Sequence, residues 1–168
     1  MDKKPQVSVV MGSDRDADVM HEATRVLDEF NVSWEVRVIS AHRSPDRCRA
    51  FARSAARRGV RVVIAGAGRA AHLAGVIASH TVLPVVGVPL DAGMDGMDAL
   101  LATVQMPRGV PVASMAVGGT GAANAALYAV EILALSDRTL ARKLAGFRKK
   151  QAASVAAKSR SVSRRLKG

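Results

Sequence analysis

A chain of 168 residues, 49% apolar but only 3% aromatic, is long enough for one domain without staples and must build its core from Val, Ala, Leu, Ile and Met. Its one cysteine, Cys48, excludes an internal disulfide and a CxxC metal or redox site, and neither the MDKKPQ start nor any later run has the apolar length of a signal peptide or a membrane span. The net charge of +11 has one source: residues 1–137 hold 14 basic and 14 acidic residues, residues 138–168 hold 11 basic and no acidic ones, so a nucleic-acid reading rests on the tail alone.

VSVVM (7–11) is a β-branched run that ends in the turn-prone GSDRD, and residues 16–30 then space Val19, Ala23, Val26, Leu27 and Phe30 at helical intervals. WEVRVIS (34–40) alternates like a strand, and Pro45 fits the first turn of a helix running to about Arg58. RVVIAG (61–66) predicts a third strand, followed by a short helix over AAHLAGVIASH. PVVGVPL (84–90) predicts a fourth, then a Gly- and Asp-rich loop and a helix near DALLATVQ. VPVASMAV (110–117) predicts the fifth, and a long helix follows over AANAALYAVEILALS. Five strands alternating with helices imply a parallel sheet covered on both faces, a flavodoxin-like three-layer α/β/α sandwich. The expected organisation is a single α/β catalytic domain over residues 1–150 and a basic tail over 151–168. Leu140, Leu144 and Phe147 lie on one stripe of an extra C-terminal helix, which the polar Gln151 interrupts; beyond it the tail is a helical extension or disordered.

In such a sheet, ligands bind beyond the carboxyl ends of the strands. The loops there read GSDRD (12–16), SAHRSP (40–45), GAGRAAHLAG (66–75), LDAGMDGM (90–97) and GGTGAAN (118–124). GSDRD suits an anion at a helix start, or simply a cap supplied by Asp14 or Asp16. GAGRAA fits G-x-G-x-x-A after a strand, with Asp91 about twenty residues on, which is a dinucleotide fingerprint by spacing. That fingerprint belongs to a first βα turn and this is the third, so the glycines have an alternative role in letting the backbone turn or approach a neighbour. His42, at a strand end facing the shared crevice, has a ring able to accept and return a proton near neutrality, and Arg43 beside it carries a fork of donors for phosphate or carboxylate. His72 follows the third strand by one loop; taken alone it reads as a packing residue, as do His21 and His80. No metal-ligand spacing, GxSxG elbow or P-loop lysine is present, and no metal is expected.

VVMGSDRD, VISAHRSP, IAGAGRAAHLAG, VQMPRGVPV (104–112) and GAANAAL (121–127), in this order and spacing, resemble the catalytic subunit of phosphoribosylaminoimidazole carboxylase, whose bacterial class comprises the N5-carboxyaminoimidazole ribonucleotide mutases of purine biosynthesis. The resemblance covers about residues 7–150. It implies a homo-octamer without metal or organic cofactor, supplied with substrate by an ATP-dependent N5-carboxyaminoimidazole ribonucleotide synthetase. Under it, a carboxylate moves from the exocyclic nitrogen N5 to ring carbon C4, with His42 as the acid and base. Ser13, Asp16 and Arg43 match positions that hold ribose and phosphate. Ser40 and the loop Gly68, Ala70, Ala71, His72 and Leu73 match those that wall the imidazole and carbon dioxide.

The chain departs from the mutase pattern in three places: Arg15 stands where MGS-x-SD has serine, and Arg69 and Ala74 stand where GGAAHLPG has glycine and proline. Arg69 resembles the branch that carboxylates aminoimidazole ribonucleotide directly with CO2, which is the alternative activity. A dinucleotide-dependent enzyme and a nucleic-acid binder acting through the tail are remoter readings. The lone thiol fits a reducing compartment, and the cytoplasm is the expected location.

Overall fold

The computed structural model describes residues 4–167; residues 1–3 of the MDKKPQ start and Gly168 at the tail's end lie outside it. Five parallel strands, β1 (Val7–Met11), β2 (Trp34–Val38), β3 (Val62–Gly68), β4 (Val85–Leu90) and β5 (Ala113–Ser114), form one sheet in the order β2-β1-β3-β4-β5. The helices are α1 (Ala17–Glu29), α2 (Pro45–Arg58), α3 (Leu73–Ala78), α4 (Met97–Val104), α5 (Gly119–Ala134) and α6 (Arg138–Lys167). The flavodoxin-like α/β/α sandwich is the fold of this chain.

Alternation along each strand assigns the two faces. On one, Val7, Val9 and Met11 of β1 and Val86, Val88 and Leu90 of β4 pack against Met20, Ala23 and Leu27 of α1 and an alanine face of α5. Ala122, Ala125, Ala126 and Ala129 recur at one-turn spacing and are fully buried, so α5 lies close on the sheet without aromatic filler. On the other face, Val10, Val63, Ala65 and Val85 meet Cys48, Phe51, Ala52 and Ala55 of α2 and Leu73, Ala74 and Ile77 of α3. Pro45 opens α2, and Gly59 closes it in the left-handed region at φ 103, its N–H and that of Val60 returning to carbonyls of the last turn.

β1, β3 and β4 are buried on both faces, as their continuous apolar runs require. β2 is an edge strand, and Val36 and Val38 remain 42% and 48% exposed. The fifth strand is shorter than the expected 110–117. A turn closed by Val110 N–H to Pro107 O precedes it, Pro111 has no N–H for the ladder, and only Ala113 and Ser114 register with β4. Past them the chain touches β4 through two single bonds, Met115 N–H to Gly87 O and Gly118 N–H to Pro89 O.

Asp137 caps α6 by accepting from the N–H groups of Thr139 and Leu140. Leu140, Leu144 and Phe147 then dock on the α1/α5 face, where the Phe147 and Phe30 rings meet edge to face at 5.5 Å and Lys143 Nζ donates to Phe30 O. From Arg148 to Lys167 every residue of this helix is exposed. No helix of the described residues is long and apolar enough to cross a membrane.

Candidate functional site

Ile39 N–H donates to Met11 O, and Gly12 N–H to Gly66 O, so β1 stops pairing with β2 and with β3 at one level while β3 runs on beside β4 to Gly68, and the loops after β2, β1 and β3 open side by side. They wall a cleft of about 860 Å³, completed by Asp91 and Ala92 after β4.

Ser13 starts a single 3-10 turn, Asp14–Asp16, ahead of α1 and closes a capping box: its hydroxyl accepts Arg15 N–H while Asp16 Oδ2 accepts Ser13 N–H at 3.0 Å. Ser13 thus caps the 3-10 turn, while α1 itself starts after Asp16 with no side-chain cap bond, so the cap expected from Asp14 or Asp16 is not made on α1: the Asp16 carboxylate is turned back to Ser13 N–H instead. The Ser13 hydroxyl donates to Asp14 Oδ1, and with the N–H groups of Asp14 and Arg15 it holds the Asp14 carboxyl below the usual range. Burial pushes the Asp16 carboxyl up, opposed by the bond from Ser13 N–H and reinforced by the charge of Asp14.

SAHRS folds as a closed turn in which Ser44 N–H and Oγ–H both return to Ser40 O at 2.9 Å. Arg43 is built into it. Its N–H and Nε–H donate to Ser40 Oγ, and one terminal nitrogen donates to Gly12 O at 3.2 Å, stapling the second loop to the first. The turn is thereby rigid before α2 begins, and it leaves His42 on the cleft wall.

His42 Nε2 lies 2.9 Å from His72 Nδ1, with the rings edge to face at 77°. One ring must donate and the other accept, so the pair holds a proton between two loops that are 30 residues apart. Both residues are exposed. An imidazole anchored by a second imidazole is suited to delivering a proton to a substrate atom and taking one back.

Of the expected site residues, Ser13, Asp16, Ser40, His42, Arg43, Gly68, Ala70 and Leu73 line the cleft. Ala71 does not: it is 1% exposed and belongs to the core beneath the loop. His72 meets the site through His42 rather than through the wall itself. His21 bonds Thr24 one turn along α1, His80 follows α3 with its N–H returned to Ile77 O, and burial raises the Cys48 thiol within the α2 core; none of the three lines the cleft. Asp91 and Ala92 received no substrate role from the sequence, although β4 beside β3 makes them neighbours. The signal was Gly68. A Cβ there would lie 2.7 Å from Ala92 Cβ and 3.0 Å from Leu90 O, so only glycine admits the close approach of the two loops. Gly66 is likewise a packing glycine, facing the Met20 side chain. Both lie inside β3 and neither opens a helix, which removes the geometry a dinucleotide fingerprint needs.

Residues 6–154 match the AIR carboxylase family. Among its relatives are proteins named N5-carboxyaminoimidazole ribonucleotide mutase from Haemophilus influenzae and Mycobacterium tuberculosis. The first is 51% identical over 152 residues, covering 90% of this chain and 93% of the relative; the second is 49% identical over 163 residues, covering 96% and 92%. The crystal structure of PurE from Treponema denticola superposes with a TM-score of 0.81 at 24% identity, covering 91% of this chain and 95% of that one, a likeness of fold. A cleft at the strand ends, a proton-sharing histidine pair on two of its loops and a family match across nearly the whole folded body converge: the chain belongs to the AIR carboxylase family.

Proposed function

We propose that this protein is an N5-carboxyaminoimidazole ribonucleotide mutase, an isomerase of purine biosynthesis, and that His42 is its acid and base. The observation that carries the residue assignment is the 2.9 Å contact between His42 and His72 at the mouth of a cleft that also presents Ser13, Asp16, Ser40 and Arg43.

Proton balance explains why one such group suffices. Breaking the bond from N5 to the carboxylate as CO2 returns an electron pair to N5, which takes up a proton. The electron-rich C4 then attacks CO2 and forms the new carbon–carbon bond. Removing the C4 proton restores the aromatic ring. The sum is an isomerisation with no net gain or loss of protons, so a residue that protonates N5 and later accepts the C4 proton ends in its starting state. His42 holds that role, with His72 orienting its ring. Arg43, already braced against Ser40 and Gly12, has a remaining terminal nitrogen for the phosphate, and Asp16 offers a carboxylate oxygen to a ribose hydroxyl. Ser40 and the small residues Gly68 and Ala70 leave room beside the rings for CO2, with Ala71 backing the loop from the core and Leu73 closing it.

Direct carboxylation of aminoimidazole ribonucleotide with CO2 is the second reading, favoured by Arg69 on the cleft wall. Supplying the N5-carboxylated ribonucleotide, and separately the uncarboxylated ribonucleotide with bicarbonate, separates them. Turnover from the first alone is expected; efficient turnover from the second would move the protein to the carboxylases.

Assembly as a homo-octamer belongs to the same proposal. It is supported by the apolar side chains left uncovered on β2, Val36 and Val38, and on α6, Val155, Val162 and Leu166. A monomer in sedimentation at micromolar concentration would remove it. A cytoplasmic location and an ATP-dependent synthetase as the source of substrate complete the reading.

A further inference from the structure

Three arginines line the cleft, and they differ in what holds them. Arg43 donates from Nε and one terminal nitrogen to Ser40 Oγ and Gly12 O. The Arg15 side chain has no hydrogen-bond partner among the described residues. Arg69 alone is tethered at one end and open at the other: its Nε–H donates to Ala92 O at 3.2 Å, and neither terminal nitrogen has a partner among the described residues. Among the described residues no acid on the wall forms an ion pair with it: Asp91 Oδ1 accepts Gly93 N–H, Asp16 Oδ2 accepts Ser13 N–H, and Asp14 accepts the Ser13 hydroxyl.

The backbone at Arg69 adds a second observation. Its φ is 54, in the left-handed region where glycine sits freely and a side chain is disfavoured. An outlier of this kind at a cleft is a reason to look for function. The conformation turns the side chain towards the β4 loop, where Gly68 brings the two backbones together, and the Nε tether to Ala92 then fixes the plane of the guanidinium. A guanidinium held at Nε presents its two terminal nitrogens end-on, the geometry that takes two oxygens of a carboxylate or phosphate at once.

We infer that Arg69 is an anion-binding residue of this cleft, its open fork engaging paired oxygens of the bound ribonucleotide. The inference deepens the proposed function and rests on it for the identity of the ligand. The shared chemistry is a pair of anionic oxygens, and the ribonucleotide offers two sources, its phosphate and its carboxylate.

The test uses Arg69→Gly, which takes the left-handed backbone without strain, and Arg69→Asn, which tolerates it while removing the charge. Calorimetry measures binding of aminoimidazole ribonucleotide, which carries only the phosphate, and of the 4-carboxylated ribonucleotide, which carries both anions. Each variant is expected to bind the carboxylated ligand at least about tenfold more weakly than the parent chain, on the scale of a lost charge-assisted pair, with a difference that narrows as salt rises. Equal weakening for both ligands assigns the fork to the phosphate; weakening confined to the carboxylated one assigns it to the carboxylate. Unchanged affinity for both, in variants whose urea midpoint equals or exceeds the parent's, overturns the inference. If the parent chain binds neither ribonucleotide, it is the proposed function that fails, an outcome distinct from normal parental binding with no effect of the variants.

Discussion

His42 Nε2 and His72 Nδ1 stand 2.9 Å apart, and they join the loop after β2 to the loop after β3 across the end of β1. Neither ring is held by another side chain among the described residues, so each is the other's orienting group. Removing the acid–base ring is expected to lower mutase turnover by at least about a hundredfold, the usual scale for general acid–base catalysis. His42→Asn is the variant, and full turnover in a folded protein would end the assignment.

His72 acts through His42 in this arrangement, and a double-mutant cycle shows it. His72→Asn is expected to lower kcat roughly tenfold with little change in KM, while His42→Asn with His72→Asn is expected to be no worse than His42→Asn alone. Additive losses would mean that His72 touches the substrate by itself.

Asp16 separates stability from binding. Its folded pKa is raised by burial, so its contribution to stability is present below the ordinary carboxylate value near pH 4 and is lost as pH rises through the folded value. Asp16→Asn retains an oxygen for Ser13 N–H without a charge to bury. It is expected to match or exceed the parent in urea midpoint at pH 7 and to lose that advantage at pH 3, while KM for the ribonucleotide rises.

Glu35 shows the opposite sign. Burial would raise its pKa, but the bonds from Arg58 at 2.7 Å and from Arg37 outweigh it and hold the carboxyl low. Its contribution is therefore present above the unfolded glutamate pKa of about 4.3 and is lost as pH falls through the lower folded value. Glu35→Gln is expected to cost about 1.5–3 kcal/mol at neutral pH, the range for hydrogen bonds to a charged group, since it removes the negative charge that Arg58 and Arg37 pair with. Urea midpoints at pH 7 and pH 3 check this: the gap between parent and variant narrows in acid.

Gly68→Ala tests the joint between the β3 and β4 loops. The added methyl meets Ala92 Cβ at 2.7 Å and Leu90 O at 3.0 Å, so the 90–92 segment must move. A destabilisation of about 1–3 kcal/mol, the usual overpacking cost, is expected together with a raised KM. Thermal unfolding and steady-state kinetics on one preparation measure both.

The strands and helices were legible in the sequence because their signals are local. The β-branched runs, the helical spacing of Val19 to Phe30, and Pro45 with Gly59 around α2 each act within a few residues. The motifs SAHR and AAHL carried the family by identity alone. What the tertiary structure decided are the relationships between distant residues. Sheet order sets β1 between β2 and β3, and only that order brings His42 to His72; β3 beside β4 turns Gly68 from a fingerprint glycine into a contact with Ala92. Ser13 came to cap a separate 3-10 turn ahead of α1, Ala71 sank into the core, and β5 shrank to two residues. These outcomes depend on crossover geometry and on which groups compete for each hydrogen bond, and a one-dimensional pattern carries no information about either.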